Sequence, residues 1–248
     1  MSKIVTQRLK ASHINETTRR IMFELFSQYY DDVTYNTFSN DLREKSHVFF
    51  LYNKQKIKEE IVGFSTILRI RSRNAVLLFS GDTVIHKDFW GSKELQLAFF
   101  RYIVESKIKA LNKPVYWFLI SKGHRTYLMM RKNFKKSFPC FEQHTPAHIK
   151  GVMDSFYEKK FKGFYKKEKG IIIFPKSPAS VKPDYCMPEN ELLSDPDTKY
   201  FLKKNPDFHK GVELACIAEI CWTDFIFHLK KFLTVWLKNF LKTSANKR

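Results

Sequence analysis

The chain is poor in residues that mark several protein classes. Glycine numbers only 8 in 248 residues. That excludes collagen-like repeats and Gly-rich linkers, and argues against a tight Gly-rich barrel. Cysteine numbers 4: Cys140, Cys186, Cys216 and Cys221. None forms a C-x-x-C pair and no second pair stands at zinc spacing, so no metal is expected. Cys216 and Cys221 lie in an apolar run and read as small buried thiols. No uninterrupted apolar stretch approaches the roughly 18 residues a membrane helix needs. Residues 1–10 are polar and lack the apolar core of a secretory signal, so the cytoplasm is the expected compartment. There is no G-x-S-x-G, H-E-x-x-H, P-loop or G-x-G-x-x-G pattern.

Acid is also short. Asp and Glu number 25 against 44 Lys and Arg, a net charge of +19. Such a field draws polyanions: a phosphorylated co-substrate, nucleic acid or an anionic membrane. It does not choose among them. Residues 122–169 alone hold 13 Lys or Arg and 4 acids by count.

What is present suits a globular fold. Hydrophobic residues make up 44% of the chain, including 24 Phe, which is enough to build a sizeable core. Ile21, Met22, Leu25, Phe26 and Tyr29 follow the helical period and predict a helix over 17–30, with Asn15 and Thr17 as capping oxygens. A second helix is expected over 37–45, with Phe38 and Leu42 inward. The period then changes. Residues 47–52, 61–70 and 75–85 read as strands, and the short connector 71–74 makes the last two an antiparallel hairpin. Gly81 interrupts the third strand, which suggests a bulge or a close backbone approach. A helix over 94–110, a strand over 115–120 buried on both faces and a helix over 125–132 follow. Further on, 170–174 reads as a strand, 175–200 as a long loop and 213–241 as helical, broken near Thr223. The expected fold class is therefore α+β: a mixed, mostly antiparallel sheet flanked by helices, with a helical C-terminal extension. The expected division is a domain over 1–174 and an extension over 175–248 packed on it.

One junction carries chemistry. The strand holding Gly81 runs through the loop 86–93 into a helix N-terminus. Unpaired N–H groups and a partial positive charge there suit a phosphate. Lys87 and Lys93 add charge and Gly91 allows close approach. A bulge at Gly81 would splay this strand from strand 115–120, leaving a gap for a pantetheine arm.

This layout resembles the GNAT superfamily of acyl-CoA-dependent N-acyltransferases, over roughly residues 15–140. The superfamily's (R/Q)xxGx(G/A) loop corresponds to Phe89-Trp90-Gly91-Ser92-Lys93-Glu94-Leu95. Trp90 stands where an Arg is usual, and the second Gly is absent. The phrase HRTYLMMRKNF resembles the helix after the fifth strand, ending in Asn133-Phe134. The resemblance implies transfer of an acyl group from acyl-CoA, acetyl-CoA or an acyl carrier protein to an amine. It implies donor binding by Lys87, Trp90, Gly91, Ser92, Lys93 and Glu94. It also implies that Tyr127 protonates the leaving thiolate. Asp82 and His86 flank the splay and are candidates for taking the amine's proton. Each has a plainer alternative: Tyr127 as a core residue, Asp82 as a stabiliser of the bulge, His86 as a turn residue, Glu94 as a helix cap.

Two other readings stand beside this one. In the first, the aromatics among lysines in FYEKKFKGFYKK (156–167) stack on bases, making a non-catalytic nucleic-acid module. In the second, an amphipathic helix over 223–242 holds the protein on an anionic membrane surface.

Overall fold

The computed structural model describes residues 3–54, 59–175, 180–181 and 190–226. In chain order its elements are β1 (Lys3–Lys10), α1 (Glu16–Ser27), β2 (Tyr30–Asp31), α2 (Tyr35–Glu44), β3 (His47–Lys54), β4 (Glu59–Arg71) and β5 (Val76–Ile85). Then come α3 (Glu94–Lys109), β6 (Val115–Ser121), α4 (His124–Asn133), β7 (Ser137–Phe138) and α5 (Ala147–Lys160). The last are β8 (Tyr165–Lys166), β9 (Ile171–Ile172), β10 (Ser180–Val181), α6 (Pro196–Lys204) and β11 (Glu213–Glu219).

Side-chain caps start three of the helices. Asn15 accepts the Thr18 N–H at 2.8 Å, Thr34 accepts the Thr37 N–H at 3.2 Å, and Asp195 accepts the Thr198 N–H at 3.0 Å. Each satisfies a donor that the first helical turn leaves open.

The main sheet runs β1-β3-β4-β5-β6-β11-β9-β8, with β7 also on β11. Its neighbours are antiparallel except for β5 and β6, which run parallel and are joined through α3. The fold class is α+β, as the pattern implies. β2 and β10 form a separate two-stranded ladder.

Three segments differ from expectation. Residues 213–219 form a strand, not a helix. β11 pairs with β6 from Leu214↔Ser121 to Glu219↔Tyr116 and is buried almost throughout. A strand covered on both faces reads as a continuous apolar run, which periodicity alone does not separate from a buried helix. The boundary drawn at 174/175 therefore falls between strands of one sheet. Residues 3–10, polar in sequence, form an edge strand in full register with β3. α6 begins inside the expected loop and runs past its end to Lys204, with Pro196 in its first turn behind the Asp195 cap. The helix expected over 223–242 lies outside the described residues beyond Ile226. Among the described residues no helix is long and apolar enough to cross a membrane.

The sheet is packed on both faces. α3, α4 and α6 cover one, where Leu95, Ile103, Leu128 and Phe201 meet Leu78, Trp117 and Cys216. The other face has two clusters. α1 and α2 put Met22, Phe26, Phe38 and Leu42 on Val48, Phe50 and Phe64. α5 puts Ile149, Met153 and Phe156 on Phe79, Phe118 and Ile217. Burying each such side chain contributes about 1.5–3 kcal/mol. A group of charged side chains marks the junction of these clusters. Lys45, at the end of α2, is buried, lies 5.6 Å from the Phe79 ring and pairs with Asp41 at 2.8 Å.

Candidate active site

The parallel pair β5–β6 holds over four positions, from Val76↔Val115 to Phe79↔Phe118. It then parts. The β4–β5 register shows why: Ile67 faces Ser80 and Ser65 faces Thr83, so β5 carries one extra residue around Gly81 and Asp82. That is the bulge expected at Gly81, and a bulge bends and twists its strand. Glycine is needed there for space. A Cβ on Gly81 would stand 2.3 Å from Thr66 Oγ1 and 2.6 Å from Lys45 Cε. Thr66 is itself buried, and its hydroxyl has no hydrogen-bond partner.

Beyond the bulge lies a cleft of about 230 Å³, lined by Tyr29, Thr83, Ile85, Trp90, Lys122 and Gly123 among others. β5 offers it a backbone edge. The His86 N–H donates to the Val62 carbonyl oxygen at 2.8 Å. Bonded and non-bonded pairs alternate along an antiparallel ladder, so Ile85, opposite Gly63, turns its N–H and C=O away from β4 toward the gap. The Trp90 indole N–H donates to that Ile85 carbonyl oxygen at 2.8 Å.

Of the expected donor-binding residues Trp90 lines this cleft, and Lys87, Gly91, Ser92, Lys93 and Glu94 belong to the loop and helix start on either side of it in the chain. The Lys87 N–H donates to the Tyr29 hydroxyl at 2.7 Å, tying the loop to the end of α1. Gly91 adopts φ +89°, the left-handed region that glycine tolerates, and nothing lies within 4 Å of where its Cβ would be. Lys93 occupies the N-cap position of α3 without a side-chain cap, and Glu94 opens the first turn. Ser92 Oγ accepts the Glu94 N–H at 3.5 Å, a long contact.

The acidic side of the parting is built from three elements. Asp82 is partly buried at the bulge, and its pKa is raised, first by loss of water and then by the like charge of Asp41. Lys45 and Lys122 oppose that shift. Glu213, at the start of β11, is 2% exposed. Loss of water pushes its carboxyl up to about 7, with Lys122 opposing and Asp82 reinforcing the shift. Lys122 Nζ lies 3.7 Å from Glu213 Oε1 and 5.2 Å from the Tyr30 ring centroid, so it spans from the buried acid to the cleft. Sequence reasoning missed Glu213, Lys122 and Lys45. The available signal was a lone acid opening the apolar run ELACIA.

Two expected catalytic residues are placed elsewhere. Tyr127 is 1% exposed, packs on Phe201, and donates its hydroxyl to the Pro139 carbonyl oxygen at 2.9 Å. Burial raises its pKa further. It belongs to the core under α4 and does not face the cleft, because the inward side of that helix packs against α6. His86 caps the turn after β5: its Nδ1 accepts the Asp88 N–H at 3.4 Å. The aromatics of 156–167 are also largely inward. Phe156 stacks on Phe118 with ring centroids 4.0 Å apart. The buried Tyr157 hydroxyl contacts the Leu119 and Cys216 carbonyl oxygens, both at 2.7 Å. Tyr165 donates to Asp154 at 2.7 Å. These rings build the core rather than a platform for bases.

A mostly antiparallel sheet, one parallel pair parted at a bulge, and a loop leading from the parting into a helix are now in place. This is the arrangement that the resemblance to the GNAT acyltransferases implies. Several solved structures are similar to this chain at low identity. An IAA acetyltransferase from Bacillus cereus is 10% identical, with TM-score 0.37, over 56% of this chain and 79% of that chain. ElaA from Escherichia coli is 14% identical, with TM-score 0.36, over 55% and 88%. A chain of the NatC complex, solved with Gag peptide and CoA, is 12% identical, with TM-score 0.39, over 88% and 99%. No family model and no curated protein matches the chain. The strand order and the parted pair carry the fold assignment.

Proposed function

We propose that the protein transfers an acyl group from an acyl-thioester, with acyl-CoA or acetyl-CoA as donor, to an amine. One observation carries this reading: β5 and β6 part after Phe79 and Phe118, and the parting is flanked by a backbone edge turned away from β4 and by a carboxylate of raised pKa. The edge suits the amides of a pantetheine arm, which would pair with it as another strand does. The open N-terminus of α3, with Lys87 and Lys93 beside it, suits the donor's phosphates. An acyl carrier protein would present the same arm.

Asp82 then has a defined task. An amine arrives largely as ammonium, which is not a nucleophile. Asp82 takes one proton; the nitrogen lone pair attacks the thioester carbonyl carbon; the C–N bond forms and the C–S bond breaks. The thiolate leaves and takes up the proton released by the amine. A carboxylate with raised proton affinity suits this exchange near neutral pH.

Thiol release from acetyl-CoA with ethanolamine, spermidine and a lysine-containing peptide tests the reading. Transfer to at least one amine, cut by about 10²-fold in Asp82→Asn with donor affinity preserved, is the expected result. Full activity in Asp82→Asn would remove Asp82 from the mechanism. Absence of transfer from acetyl-CoA, longer acyl-CoAs and acyl carrier protein would remove the function.

A further inference from the structure

The outer side of α3 carries an apolar patch that the proposed transfer leaves without a task. Leu97 lies one turn into the helix and is half-exposed. Phe100, three residues on and so on the same side, packs edge-on against Phe225 with ring centroids 5.6 Å apart. Phe225 meets the Trp222 ring in turn, also at 5.6 Å. Trp222 and Ile226 are half-exposed like Leu97.

The turn that presents Trp222 and Ile226 is fixed. Asp224 is buried between them: its Oδ1 accepts the Lys135 N–H at 3.2 Å and its Oδ2 accepts the Cys221 N–H at 3.0 Å. A tryptophan and two aliphatic side chains held outward together mark a contact surface rather than scattered exposure.

The surroundings of this patch are cationic. Lys93 and Arg101 stand one turn before and one turn after Leu97 and are exposed, with Glu94 the acid beside them. Glu219, the acid preceding Trp222 in the chain, is paired with Lys136 at 3.1 Å. Beyond the described residues the sequence continues in kind. Residues 227–242 include nine apolar residues with Lys230, Lys231, Lys238 and Lys242, and no acid occurs from 225 to 248.

We propose that this face docks on an anionic lipid bilayer. Leu97, Trp222 and Ile226 enter the interfacial layer, and the lysines beyond 227 meet the headgroups. The combination of apolar anchors with cations selects this partner. A nucleic acid would use the cations and gain nothing from Leu97 and Ile226, and a second copy would bring like charge against like. Leu97 is one turn into α3, so the same docking holds the loop 86–93 close to the bilayer.

The test uses the full chain and needs no acyl donor or amine. Co-sedimentation is measured with vesicles of phosphatidylcholine alone and of equal parts phosphatidylcholine and phosphatidylserine. The protein is expected to sediment with the second and to stay in solution with the first. Trp222→Ser/Ile226→Ser should weaken that partition by about tenfold or more, and Leu97→Ser alone by about threefold. The single variant keeps the proposal testable if the double variant does not fold. Replacing Lys230, Lys231, Lys238 and Lys242 by Gln should abolish the preference for phosphatidylserine. Lys162→Gln/Lys166→Gln, at exposed positions that follow α5, should leave the partition within about twofold.

A partition that falls as far with the Lys162 and Lys166 replacements as with those of Trp222 and Ile226 means general attraction of a basic protein to polyanions, and overturns the proposal. Absence of binding to both kinds of vesicle overturns it, as does retention of a single-stranded oligonucleotide by a protein that leaves vesicles alone. Dimerisation weakened by Trp222→Ser/Ile226→Ser, without vesicle binding, also overturns it and gives the face to a second copy.

Discussion

The Trp90 indole N–H donates to the Ile85 carbonyl oxygen across the mouth of the parted strands. The acceptor it occupies is one that an amide of the donor's arm would use. Trp90 is 46% exposed, with its ring centroid 6.2 Å from that of Tyr29.

Replacing Trp90 by Phe should therefore tighten donor binding. A net hydrogen bond contributes about 1 kcal/mol, so an affinity gain of about fivefold is expected by calorimetry with acetyl-CoA. Weaker binding in Trp90→Phe would mean that the indole holds the donor rather than competing with it.

Gly81 and Thr66 form a linked pair of predictions. Gly81→Ala places a methyl against Thr66 Oγ1 and Lys45 Cε, and should destabilise by about 1–3 kcal/mol in thermal or denaturant melts. Thr66→Val removes a buried hydroxyl that has no partner and keeps the shape. It should stabilise by about 1 kcal/mol. A Thr66→Val variant less stable than the starting protein would show that the hydroxyl is satisfied in solution.

Much of this was legible from local pattern. The hairpin, the helix after the 86–93 loop and the bulge at Gly81 each follow from a short stretch of sequence. β11 was not legible, because an apolar run in the middle of a sheet has no alternation. Glu213 was missed for the same reason, since its meaning depends on β11 lying beside β6 and bringing it to Lys122 and Asp82. Tyr127 was read from motif position as either an acid or a core residue; the inward side of its helix meets Phe201 of α6, an element that begins in what the sequence presented as a loop.

The pH dependence of stability carries a definite sign from Glu213. Its folded pKa is pushed up to about 7 from the ordinary glutamate value of 4.5. The native state therefore binds the extra proton between those values, and its stability falls as pH rises through that window. Glu213→Gln cannot ionise and should melt higher than the starting protein above pH 7, by about 1–3 kcal/mol. Equal melting of the two proteins from pH 5 to 8 would contradict the buried, high-pKa carboxyl.

Tyr127→Phe should leave turnover unchanged. It removes a buried hydroxyl that donates to Pro139, and should cost about 1 kcal/mol of stability. A large drop in turnover at full stability would return Tyr127 to the chemistry.

Donor binding at the parted strands is the central claim. Its most direct test is thermal melting with CoA, acetyl-CoA and longer acyl-CoAs at two salt concentrations. A ligand at about 100 times its dissociation constant adds about 2.7 kcal/mol to the folded state. The account predicts a stabilisation that persists at the higher salt and depends on the acyl chain. No stabilisation, or one erased by modest salt, would mean that the basic surface only attracts polyanions, and it would contradict the acyltransferase reading.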